Sequence, residues 1–238
     1  MSATNSIEKS VHASVWQGSL KLVNVKKARN WAWMFVAEAR IKNMMKWWAS
    51  ITAFGLGNPV LYLFSVGIGI GALVDANGGS AQLGGVSYLT FLAPALLASA
   101  AIQAFQDETS FPIMEGFVWN KTFFAMNATL VSARDIVNGV LAAAVVRTVL
   151  TVLIYEGVLL AFGAIAWSVV LPMFVSSLLT GAAFGCGLMA VATHIKEDDG
   201  FFAIVARFVI APMMLFSGTF YPLQSMPFYK SLYVNFLR

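Results

Sequence analysis

Few residues in this sequence can do acid–base, nucleophilic or ligand chemistry, and their spacing rules out most of it. His12, Cys186 and His194 are too scattered to form a metal cluster. Residues 116–122 read GFVWNKT: the Lys-Thr of a phosphate loop is there, but the glycine before it is missing, so the phosphate-cradling turn cannot form. The sequons at Asn120 and Asn127 fall in a segment expected to be cytoplasmic and carry no weight. What remains is Arg147, Glu156 and Arg207, three ionisable groups inside long apolar runs. At bilayer depth such a group costs roughly 2.5–3.5 kcal/mol on insertion scales and is a functional candidate by default. Two readings fit them. They line a polar path or form a buried pair, Glu156 with an arginine; or Arg147 and Arg207 reach back to the nearer interface.

The elements that hold these charges follow from composition. Of 238 residues, 59% are hydrophobic and 11% charged, and mean hydropathy is +0.76. A soluble domain carries about 25% charged residues. Soluble enzyme, disordered regulator and disulfide scaffold are excluded, and an all-α polytopic membrane protein remains. Apolar runs predict five spans, at about 49–73, 88–105, 136–162, 169–193 and 201–220. A break is expected near Pro59 in the first; the second is short and carries Pro94, and Pro212 interrupts the fifth. Gly181 and Gly185 form a small-xxx-small pair for close helix packing.

Charge sorting sets the orientation. Lys9, Lys21, Lys26, Lys27, Arg29, Arg40, Lys42 and Lys46 precede the first span, against only Glu8 and Glu38, which places the N-terminus in the cytoplasm. Residues 1–27 read as a mobile cytoplasmic tail. Residues 28–48 interleave Trp31, Phe35, Met44 and Trp48 with basic groups, as an amphipathic interfacial helix does; ordinary basic flanking of a span gives the same pattern. A nucleic-acid-binding arm is rejected, because the membrane already explains this charge. The expected external loops, 74–87 and 163–168, hold no Lys or Arg. Between spans two and three lies a long internal segment, 106–135, rich in both charge and aromatics, which suggests short docking helices. Residues 221–238 suit an external re-entrant hairpin.

Four stretches in order, NPVLYLFSVGIGIGAL from Asn58, YLTFLAPALLASAAI from Tyr88, ETSFPIMEGFVWNKTFFAMNATLVSARD from Glu108 and FSGTFYPLQSMP from Phe216, resemble the permease subunit of type-2 ABC transporters, in its nodulation-factor and drug-exporter branch. The resemblance covers residues 30–238, with 49–238 as the transmembrane domain. It implies an exporter path for a lipid-linked, glycolipid or drug-like amphipathic substrate. It implies a second permease subunit as in a homodimer, contact with membrane lipids, and a separate cytoplasmic ATPase that holds ATP and Mg. No cofactor is expected on this chain, and no enzyme activity of its own. Residues 119–129 become a coupling helix against that ATPase, with Glu108, Glu115, Trp119, Lys121, Phe123, Phe124, Thr129, Arg134 and Asp135 in the coupling segment. The expected location is the plasma membrane, as in a bacterial inner membrane. The family pattern has six spans, so a chain ending at Arg238 reads as C-terminally truncated. An ion-coupled secondary carrier working through Glu156, or a non-transporting membrane scaffold, is the alternative.

Overall fold

The computed structural model describes residues 29–78, 81, 83, 85–195 and 200–216. The expected N-terminal tail and C-terminal hairpin lie outside the described residues. Among the described residues all regular structure is helical.

Helix α1 (Ala32–Met45) lies ahead of the first apolar run. Its inner side, Ala32, Val36 and Ala37, is buried, while Trp31, Phe35 and Met45 are exposed. A short turn leads to α2 (Trp48–Leu63), which widens without a break into a π-helical stretch (Phe64–Gly71) and ends in α3 (Ala72–Ala76). No break falls at Pro59, which lies within α2; the helical register changes further on, at Phe64. A π turn adds a residue to each hydrogen-bonded loop and crowds the backbone. At Gly71 a Cβ would sit 3.1 Å from the Val66 carbonyl oxygen, so a glycine suits this position.

Helix α4 (Tyr88–Thr109) starts at Ser87, whose hydroxyl accepts from the Thr90 amide. It runs past the expected end of the second span, so Asp107 and Glu108 sit on the helix rather than in a loop. The chain then forms α5 (Phe111–Met114), a π stretch (Glu115–Trp119) and α6 (Thr122–Asn127). Helix α7 (Ala133–Ala161) begins with a capping box: the Ser132 hydroxyl accepts from the Asp135 amide, and the Asp135 carboxylate accepts from the Ser132 amide. The turn to α8 (Trp167–Ala192) uses Gly163 at φ +66°. After the following loop come α9 (Phe201–Val205), a π stretch (Ala206–Ile210) and α10 (Ala211–Phe216).

By length and composition, Tyr88–Trp119, Ala133–Ala161 and Trp167–Ala192 can each cross a bilayer. Shorter apolar helices, Val60–Val74 and Phe201–Met213, stand where the first and fifth spans are expected. Outward faces suit lipid: Val146, Leu150 and Leu153 on α7, and Leu171, Val175 and Leu179 on α8, are exposed. Helix α4 is the hub. Gly181 and Gly185 turn toward it, and a Cβ on Gly181 would meet the Ala101 carbonyl oxygen at 2.8 Å. One apolar cluster, with Leu63, Leu92, Leu97, Val152 and Leu159, joins α2, α4 and α7. A second, with Ile113, Met114, Phe123, Val140, Leu188 and Phe202, anchors the α5–α6 segment beneath α7, α8 and α9.

Candidate functional site: an ion-pair cluster under an aromatic segment

Arg147, in the middle of α7, donates from Nη1 to Glu108 Oε1 at 2.9 Å and from Nη2 to Asp107 Oδ2 at 2.5 Å. Arg40 of α1 donates to the other oxygen of Glu108 at 3.1 Å. Two arginines and two carboxylates therefore tie three helices at one level. The charges cancel, which is what makes their burial tolerable. Asp107 and Glu108 are adjacent in sequence but not in environment: the Asp107 side chain is 37% exposed and that of Glu108 is 7% exposed. Helix α1 is further held by a notch at Gly139, where a Cβ would lie 2.5 Å from Val36 Cβ.

The cluster forms the boundary of two cavities. A large one, about 990 Å³, lies between α2, α4, α7 and the π stretch before α10. Ser99, Gln103 and Asp107 line it at four-residue steps along α4, and Arg147, Thr151 and Tyr155 do so along α7. Leu61, Ile70 and Leu96 supply apolar wall. A small cavity, about 230 Å³, lies on the α1 side, against Arg40, Asn43 and Glu115. Asp107 and Arg147 line both.

The adjoining α5–α6 segment is fixed on one side and open on the other. Phe123 is buried at 4%, its ring filling the space left by Gly116, while Phe124 is 60% and Trp119 53% exposed. Phe117 stacks edge-on against both phenylalanines, at centroid distances of 5.0 and 5.8 Å. Lys121 takes a left-handed conformation, φ 52°, at the start of α6. Glu115 accepts from the Asn120 amide at 2.8 Å. The Thr129 hydroxyl donates to the Met126 carbonyl at 2.6 Å. Arg134 is exposed, and Asp135 is occupied by its capping box.

The remaining intramembrane charges are not drawn in. Glu156 is 2% exposed, and among the described residues neither carboxylate oxygen has a hydrogen-bond partner. The pairing of Glu156 with an arginine is absent there. Arg147 and Glu156 are nine residues apart on one helix, which puts them on opposite faces and about 13 Å apart along the axis. Arg207 is exposed on its π stretch.

No protein-family model and no solved structure matches the chain. It is similar to nodulation protein J of Rhizobium meliloti (strain 1021), 30% identical over 203 residues, 84% of this chain and 74% of the relative. It is similar to nodulation protein J of Rhizobium leguminosarum bv. viciae, 31% identical over 189 residues, 78% and 70% of the two chains. The chain belongs to the nodulation protein J family. This is a family of permease subunits of type-2 ABC transporters, as the sequence resemblance implied.

In this nodulation protein J relative, Arg40 and Asp107 belong to the site although their sequence positions did not single them out. The signal was there in principle: a lone arginine in the third apolar run requires a counter-charge, and Asp107-Glu108 is the acidic pair at the end of the second.

Proposed function

We propose that this chain is the membrane permease subunit of an ABC exporter. It gives passage to a lipid-linked, glycolipid or drug-like amphipathic substrate, and a separate cytoplasmic ATPase, with its own ATP and Mg, supplies the work. In this reading a second permease copy completes the path. The protein lies in a bacterial inner membrane with its N-terminus in the cytoplasm, as the basic flank of the first span requires.

The observation that carries the reading is the α5–α6 segment. It exposes Trp119 and Phe124 while Phe123, Ile113 and Met114 lock it into the core. An aromatic surface on a rigid base is what a docking partner needs to push against. The force then has a stiff route inward: Glu108 lies three residues before α5 and is held to α7 by Arg147 and to α1 by Arg40. Proton coupling through Glu156 has no such support, because Glu156 is buried and does not line the large cavity.

The test is transport. Inverted membrane vesicles containing this chain and its ATPase partner should take up a fluorescent amphiphile only when ATP is present. Uptake that needs no ATPase, follows a proton gradient and is abolished by Glu156→Gln would refute the proposal in favour of a secondary carrier.

A further inference from the structure

The large cavity has an unusual charge balance for a site that contains an arginine. Both terminal nitrogens of Arg147 are already engaged, one by Asp107 and one by Glu108. Gln103 donates its amide to the other Asp107 oxygen at 3.0 Å, so that carboxylate is also engaged. Among the described lining residues the remaining polar wall, including Ser99 and Thr151, is neutral hydroxyl and amide, and the Ser99 hydroxyl, which donates to the Ala95 carbonyl at 2.7 Å, keeps its lone pairs for a ligand donor. Beside it lies the apolar wall of Leu61, Ile70 and Leu96. A ligand there meets apolar surface at one end and uncharged hydrogen-bonding groups at the other.

We propose that this cavity is a binding site for amphiphiles with uncharged polar heads, and that Asp107 makes it a charge filter by consuming the cation that would otherwise capture anionic lipids. An anionic head gains no free cation among the described lining residues and meets the Asp107 carboxylate, the more exposed of the two acids. It must lose its hydration without replacement, which is costly in a partly buried site. An uncharged hydroxyl-bearing head exchanges water for hydroxyl and amide partners at small net cost. The filter matters because anionic lipids are abundant in bacterial membranes and would compete for any exposed arginine. The inference rests on the permease reading for its biological meaning, but the binding it claims needs no ATPase.

The experiment uses Ser99→Cys in a Cys186→Ala background, in nanodiscs of zwitterionic lipid. The alkylation rate of the thiol introduced at position 99 is followed with added dodecyl maltoside or dodecyl sulfate at equal, low mole fraction. The maltoside should slow alkylation several-fold and the sulfate should not. Ile70→Trp, which fills the apolar part of the cavity, should remove the protection. Asp107→Asn should let the sulfate protect as well. Protection by neither amphiphile, or equal protection by both with Asp107 intact, overturns the proposal. That comparison is decisive even if Asp107→Asn fails to fold. Binding can fail this test while ATP-driven uptake persists, so the two failures are distinguishable.

Discussion

Arg147 and Glu108 meet at 2.9 Å across 39 positions of sequence, and the same Glu108 carboxylate is held from its other side by Arg40. One acid at the end of α4 thus couples α1 to α7. Its side chain is 7% exposed, so neither arginine can leave without exposing an unbalanced buried charge.

Arg147→Met should therefore destabilise the protein by about 3 kcal/mol, the lower end for breaking a buried pair, because Arg147 itself keeps some solvent contact. Arg147→Lys should recover only part of this, since one ammonium cannot serve Asp107 and Glu108 in a fork. A double-mutant cycle of Arg147→Met with Glu108→Gln, read by denaturant unfolding in micelles, should give a favourable coupling energy. Additivity of the two changes would refute the buried-pair account.

The glycines of α8 offer a paired test. Gly181→Ala should cost about 1–3 kcal/mol, because the new Cβ meets a backbone carbonyl of α4 that cannot rotate away. Gly187→Ala, on the same helix with open space around it, should be neutral or slightly stabilising. Equal effects at both positions would contradict the packing described here.

Lys121 is the non-glycine residue with positive φ among the described residues. Lys121→Gly should raise stability by about 1 kcal/mol, the cost of a left-handed L-residue. Lys121→Val should lower it. A stabilising valine would show that the turn before α6 is not left-handed in solution.

Much of the fold was legible because a bilayer demands long apolar runs, and those runs are local in sequence. Positions such as Tyr88, Ala133 and Trp167 could be placed near helix starts from hydropathy and neighbouring polar residues. The site was less legible because its geometry is tertiary. Arg40 and Glu108 are 68 positions apart, so Arg40 read only as part of a basic flank. Arg147 left two readings open that its own surroundings could not separate. Phe123 and Phe124 are adjacent aromatics; only the space over Gly116 decides that the first turns inward. Asp135 has a local explanation, the Ser132 capping box, which makes it a poor probe of coupling: replacing it would disturb the start of α7 whatever docks nearby.

The central claim is that the α5–α6 segment is where an ATPase subunit docks. The direct measurement is retention of the ATPase through affinity purification of this chain, comparing the unchanged protein with a Trp119→Ala, Phe124→Ala double variant. Both side chains are exposed, so the variant should keep its unfolding profile. The account predicts stoichiometric ATPase with the unchanged chain and loss of it with the double variant. Undiminished retention by a folded double variant would contradict it.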